Sequence, residues 1–221
     1  MKVTIDAELE GVLRAGVLRL GGIREPADGG DRLWAEVERS GRELAQRHAG
    51  RTMGRIEETA EMRRLYRAVG LDPTKTRPSS EALLRRLVKG KGLYRVGPLV
   101  DLFNLVSVES QLSLGLYDES KIEGRLVTAR LGSPGDGYEG IRKGRINVAG
   151  RLCLADAEGP FGSPTADSAR TAIEGEVESA LVVFFQPLDG DPTRLQSALD
   201  RAAALAAEHL SARVEERTLI P

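Results

Sequence analysis

The chain has 221 residues, 41% apolar and 29% charged, with a net charge of −1. These globular values exclude a disordered polyelectrolyte. The balanced charge excludes a global pull toward nucleic acid or membrane, so any RNA contact must come from a local patch.

In chain order the pattern is α/β. Met1–Ile5 and Gly11–Leu20 read as strands, rich in Leu and β-branched residues and broken by glycine. Glu25–Asp31 is a loop, and Asp31 is placed to cap a helix on which Leu33, Trp34, Val37, Leu44 and His48 share a face. His48 is thereby expected to pack at a helix edge rather than to act as a ligand. Gly50 and Gly54 interrupt, and a second helix runs from about Glu57 to Val69, where Gly70 stops it. Leu71–Pro78 is a turn segment. Ser79 or Ser80 then caps a short helix to about Lys89, and Gly90 and Gly92 end it. Pro98 takes the first position of the next helix.

Beyond Tyr117 the pattern changes to strands. Arg125–Leu131 and Arg151–Asp156 are candidates, with Gly132–Gly140 as a loop between them. The lone Cys153 lies in the second of these strands, where a buried, inert thiol is expected. It excludes an internal disulfide and fits a reducing, cytoplasmic setting. Ala180–Phe185 is a continuous apolar run, as in a buried central strand. Asp191 caps the last helix and Pro192 opens it; Leu195, Leu199, Ala202, Ala203, Ala206 and Leu210 form its apolar face. Val214–Pro221 can pair as an edge strand. No linker divides the chain, so a single domain over residues 1–221 is expected. No signal peptide and no apolar run near 18 residues is seen, so no membrane partner is expected.

Familiar enzyme signatures are absent. There is no GxSxG, HExxH, CxxC, Walker loop or GxGxxG. The two histidines, His48 and His209, both fall on predicted helices, which argues against a His triad or a metal site. No cofactor and no metal are expected. A catalytic site in this chain must position a water and stabilise charge by hydrogen bonds.

The stretch Pro98–Asp118, "PLVDLFNLVSVESQLSLGLYD", is the most informative. On a helical wheel Leu99, Leu102, Phe103 and Val106 fall on one side, and Asp101, Asn104, Ser107 and Gln111 on the other. The polar side carries short, uncharged or weakly extended groups suited to fixed hydrogen bonds, rather than Lys, Glu and Arg. An ordinary surface stripe would give a similar pattern. With Val100-Asp101, Asn104 and the closing Tyr117-Asp118 at this spacing, the stretch resembles the B3/B4 domain. That domain is the editing module of the bacterial phenylalanyl-tRNA synthetase β-subunit and also occurs free-standing. The resemblance continues through Arg77–Asp101, Lys121–Arg130, Leu152–Pro160 and Ala166–Ile173, and covers roughly Tyr66 to Phe185. Residues 1–65 lie outside it.

The resemblance implies an α/β fold of B3/B4 type, with a sandwich-like pair of β-sheets and packed helices. It implies hydrolysis of the ester of a mischarged aminoacyl-tRNA. Asn104 and Ser107 are then the candidate catalytic residues. Asp101, Asp167, Ser168, Arg170 and Thr171 are candidates for substrate binding, Asp101 also suiting a purely structural place near a helix start. Arg170 can pair with a phosphate or with a buried carboxylate such as Asp101. The match is partial: Ser113 and Gly115 stand where the synthetase-embedded form carries a Pro and a pocket His, so the synthetase's own substrate does not carry over.

Lys75, Arg77, Arg85, Arg86, Lys89, Lys91 and Arg95 crowd into 21 residues. Arg77, Arg85, Arg86, Lys89 and Lys91 are the candidate RNA-binding residues, with Gly90 and Gly92 allowing close backbone approach to a phosphate. A solvated helix face is the competing explanation. Two functional readings follow: a trans-acting aminoacyl-tRNA deacylase, or a non-catalytic module that binds RNA or an amino acid on the same fold. They differ in whether Asn104, Ser107 and the 167–171 segment converge on one concave site.

Overall fold

The computed structural model describes residues 1–141 and 144–221. Two four-stranded sheets face each other. Sheet A has the order β1 (Lys2–Ile5), β4 (Leu126–Leu131), β7 (Leu152–Ala155), β8 (Pro160–Gly162). Its β1–β4 pair is parallel and the others are antiparallel. Sheet B is antiparallel throughout, in the order β10 (Arg213–Ile220), β2 (Leu13–Gly21), β9 (Ser179–Pro187), β3 (Leu114–Asp118). A separate hairpin joins β5 (Gly137–Gly140) to β6 (Gly144–Asn147).

The apolar run in β9 makes it the centre of sheet B, and its residues from Ala180 to Phe185 are all fully buried. Both of its faces are therefore covered. One face meets the helical layer and the other meets sheet A, which is why the run does not alternate. The sheets lock where the Tyr117 ring of β3 stands edge-on to the Phe161 ring of β8, centroids 4.8 Å apart and planes at 88°. The helices are α1 (Asp31–Arg47), α2 (Ala60–Ala68), α3 (Ser79–Val88), α4 (Pro98–Ser110) and α5 (Pro192–Leu210). One apolar cluster unites residues of both sheets with α1, α2, α4 and α5. Residues 1–65 are integral to this framework: β1 extends sheet A and β2 sits between β10 and β9.

Several local expectations need correction. Asp28, not Asp31, caps α1: its carboxylate accepts from the Gly30 and Arg32 N–H groups at 3.0 and 3.1 Å, because Gly29 and Gly30 turn the chain through left-handed φ of 62° and 82°. Neither Ser79 nor Ser80 caps α3. Both lie inside its first turn after Pro78, and the buried Ser80 hydroxyl donates to the Gln111 carbonyl, 3.2 Å. The helix read from Glu57 starts at Ala60, preceded by a 3₁₀ turn over Glu57–Thr59. The loop read over Gly132–Gly140 contains β5. Gln111 does not continue the polar face of α4; it ends the helix in the left-handed region, φ 55°. His48 is buried at the end of α1, Asp191 caps α5 by accepting from the Thr193 N–H at 2.9 Å, and the C-terminal segment forms the edge strand β10.

Arg170 ties the 167–171 segment to sheet A. Its two terminal nitrogens donate to the two Asp156 oxygens, each at 2.9 Å, and one also reaches the Lys121 carbonyl at 3.1 Å. Its carboxylate partner is thus Asp156 rather than Asp101. Burial acts to raise the Asp156 pKa, but the Arg170 bond and the Glu123 N–H outweigh it and hold the carboxyl below its usual value. A group with a depressed folded pKa adds stability at neutral pH that is lost as pH falls through that pKa. Arg170 keeps 26% of its side chain in solvent, so the pair is worth less than a fully buried one. Arg170→Ala should cost about 2 kcal/mol, lowering Tm by roughly 4–8 °C. The gap from wild type should narrow in thermal melts below about pH 4. An equal gap at pH 3 and pH 7 would contradict the assignment.

Candidate active site

A cavity of about 540 Å³ opens beside the edge strand β3, between α3, α4 and the segment around Asp167. Its helical wall is Val100, Phe103, Asn104 and Ser107 of α4 with Ser79 and Leu83 of α3. On the wheel these four α4 positions span roughly 100°, and Asp101 lies about 60° beyond Asn104. Asp101 accordingly turns away from the cavity. Its carboxylate accepts the Val96 N–H at 2.8 Å, tying the incoming chain to the helix, and burial raises its pKa. Leu114 and Leu116 of β3 form the floor, and Ile141, Asp167, Ala169, Ala172, Ile173 and Glu174 form the facing wall.

The turn after α4 sets this geometry. Left-handed Gln111 reverses the chain within a few residues, and the Ser107 hydroxyl fixes the reversal by donating to the Leu112 carbonyl at 2.8 Å. With its proton used there, Ser107 faces the cavity as an acceptor. The Asn104 side chain is half-buried on the cavity wall and makes no hydrogen bond to another described residue. Its amide is free both to donate and to accept toward a bound molecule.

Asp167 is held from beneath. The Tyr117 hydroxyl donates to its carboxylate at 2.8 Å. Tyr117 is fully buried, and burial together with the Asp167 charge drives its pKa well up, so the phenol stays a neutral donor. Room for this phenol comes from two glycines. A Cβ at Gly115 or at Gly162 would overlap the Tyr117 hydroxyl and ring. The space of a side chain at position 115 is thus filled by a phenol that reaches the cavity carboxylate.

Two more phenols support the same loop. The Tyr66 hydroxyl hydrogen-bonds the Thr165 hydroxyl at 2.7 Å, and Tyr138 donates to the Ala166 carbonyl at 2.6 Å. Burial raises the pKa of both tyrosines. Sequence reading missed these three supports; the one local trace of them is Gly115 beside Tyr117.

The remaining candidates lie elsewhere. Ser168 and Thr171 are buried beneath the wall, their hydroxyls bonded to each other at 3.0 Å, and the Thr171 carbonyl accepts from the Asp118 N–H of β3 at 3.0 Å. Arg170 points away to Asp156. Cys153 is buried and its thiol is pushed up to about 11, a non-nucleophilic state. Among the described residues no group of His, Cys, Asp and Glu is arranged to hold a metal, and no helix is long and apolar enough to cross a membrane.

On the outer face of α3, Arg77, Arg85, Arg86, Lys89 and Lys91 surround one shallow depression with Ala82. Arg77 is paired with the buried Glu81 at 3.2 Å. Among the described residues no carboxylate pairs with Arg85, Arg86, Lys89 or Lys91. Left-handed Gly90 closes α3: its N–H donates to the Leu87 carbonyl and that of Lys91 to the Arg86 carbonyl, which brings Lys91 back beside Arg86.

A family model described as "B3/4 domain" matches residues 61–211. None of the curated proteins matches the chain. Among solved structures, an N-terminal fragment of the phenylalanyl-tRNA synthetase β-subunit from Pyrococcus horikoshii is similar, with a TM-score of 0.50 and 12% identity. The likeness covers 100% of this chain and 54% of that one, so this chain spans about half of that fragment. At that identity the likeness speaks for the fold.

The glycine-framed phenol gives a direct prediction. Gly115→Ala should destabilise by about 1–3 kcal/mol through overpacking against Tyr117. Tyr117→Phe relieves no clash and removes one bond to a charged acceptor, costing about 1.5–3 kcal/mol. In the double variant, loss of the hydroxyl, the atom nearest to a Cβ at position 115, should recover part of the Gly115→Ala cost, visible as non-additive urea midpoints. Strict additivity would show that position 115 does not press on the phenol.

Proposed function

The chain belongs to the B3/4 domain family, and on that premise we propose that it hydrolyses the ester of a mischarged aminoacyl-tRNA in trans. One observation carries the reading: Asn104, Ser107 and Asp167 share one concave site, and a cluster of cations, of which Arg85, Arg86, Lys89 and Lys91 have no acidic partner among the described residues, lies on α3 beside it. Separate polar patches would have favoured a passive binding module.

An aminoacyl ester is already activated, so its hydrolysis needs orientation and charge stabilisation more than a covalent nucleophile. Asn104 donates its amide N–H to the ester carbonyl as negative charge develops there, or orients the attacking water. The Asp167 carboxylate, aimed by Tyr117, takes the α-ammonium of the aminoacyl group. Leu83, Val96, Val100, Phe103, Leu116 and Ile173 offer an apolar wall, which suits an uncharged, apolar amino-acid side chain. The cations of α3 take the RNA phosphates. The tRNA partner is supported by the kinship of the domain with a translation enzyme.

Removing one well-placed donor from such a site typically costs about 10²–10³ in rate. Asn104→Ala should therefore slow deacylation of charged tRNA by that factor while leaving the melting curve in place, and a chelator should change nothing. Full activity in Asn104→Ala would move the site elsewhere. In a separate binding experiment, Arg85→Glu combined with Lys89→Glu should weaken tRNA binding strongly. It should also flatten the dependence of affinity on salt, by about 0.7–0.9 in log–log slope for each phosphate that is no longer neutralised. Binding indifferent to both charge reversal and salt would favour a free amino acid as the ligand.

A further inference from the structure

The segment between α3 and α4 runs from the cation cluster to the mouth of the cavity, and three of its side chains or amides are tied down. Leu93 packs against the core. Arg95 donates to the Asp31 carboxylate at 2.6 Å and to the Gly29 carbonyl at 3.0 Å. The Val96 N–H is held by Asp101, and Val96 lines the cavity. Between these anchors Tyr94 faces outward with 63% of its surface exposed. The Arg86 guanidinium lies over one face of its ring, 3.5 Å from the centroid, and is itself fixed by donating to the Lys91 carbonyl at 3.2 Å.

The other tyrosines are buried and hydrogen-bonded. A large aromatic ring, mostly exposed and with a cation lying over one face, has the form of a stacking platform. We propose that Tyr94 stacks an unpaired base of a single-stranded RNA end and so delivers that end from the cations of α3 to the cavity. Tyr94 and Val96 are two residues apart, at most about 7 Å along the chain. Stacked bases rise about 3.4 Å each, so one or two nucleotides separate the platform from the cavity mouth. The Arg86 guanidinium serves twice, holding the ring and facing the phosphates.

The inference rests on the RNA-directed reading above but is tested by binding alone. The probe is a short single-stranded oligoribonucleotide with 2-aminopurine near its 3′ end, titrated with full-length protein. Wild-type protein should quench the 2-aminopurine on binding. Tyr94→Ala should abolish the quench and weaken binding about 10- to 100-fold, and Tyr94→Phe should stay within about twofold of wild type. Because Tyr94→Ala removes no charge, its salt slope should match wild type, whereas that of Arg85→Gln should be shallower. A blunt duplex of the same length should bind Tyr94→Ala and wild type alike. Tyr94→Ala binding the single strand as tightly as wild type, or wild type failing to bind it, would overturn the proposal. If Tyr94→Ala shows the loss but no charged tRNA is hydrolysed, the deacylase reading fails while this site stands. The reverse outcome, hydrolysis that ignores Tyr94, removes this site and leaves that reading in place.

Discussion

The candidate site depends on one arrangement: three buried phenols that converge on the loop from Gly162 to Asp167. They come from different layers of the fold. Tyr66 belongs to α2, Tyr117 to β3 and Tyr138 to β5, and they reach Thr165, Asp167 and Ala166 respectively. Each hydrogen bond is worth on the order of 1 kcal/mol, and the Tyr117 bond to a charged acceptor somewhat more. Together they anchor the loop at three successive residues, Thr165, Ala166 and Asp167. Because Tyr117 also locks sheet B onto sheet A through Phe161, the position of the Asp167 carboxylate is coupled to the packing of the two sheets.

The opposite wall is rigid for a different reason. Here a single helix, α4, is fixed at both ends by side chain–backbone bonds: Asp101 holds the chain before it and Ser107 the chain after it. Those bonds use the Asp101 carboxylate and the Ser107 proton, which leaves Ser107 only an acceptor toward the cavity and Asn104, between them, able both to donate and to accept. The cavity thus sets an uncharged amide against a carboxylate across an apolar floor. In the deacylation proposed above, that contrast is what would tell the ester carbonyl from the ammonium group and fix the direction in which the substrate lies.

Much of this was legible in the sequence. The apolar run at Ala180–Phe185, the proline-led starts of α4 and α5 and the polar wheel positions Asn104 and Ser107 are local signals, and local physics produces them. The rest depended on partners distant in sequence. Asp28 and Asp31 are both good capping residues, and the choice between them was made by two left-handed glycines. The hairpin of β5 and β6 is short and glycine-rich and carries little strand propensity. Asp101 looked equivalent to Asn104 on the wheel, but its burial toward Val96 became visible only when the chain before α4 was placed. Arg170 had several acids within reach, and only the approach of β7 selected Asp156. The phenol supports lie up to about 100 residues from the loop they hold, and Gly115 beside Tyr117 is the one local trace of them. Gly115 reads as a missing side chain in the sequence; in three dimensions it is the space that Tyr117 occupies.

The most direct test of this account is to locate a bound substrate mimic. An aminoacyl group linked by a stable amide to 3′-amino-adenosine, carrying an apolar side chain, can be titrated into isotopically labelled protein and followed by amide NMR. The account predicts that the largest shifts fall on the Asn104 side-chain amide and on the backbone of residues 167–169, with Tyr117→Phe weakening the binding. Saturable binding whose shifts cluster instead around Trp34 and Leu93, leaving Asn104 and Asp167 unmoved, would contradict it.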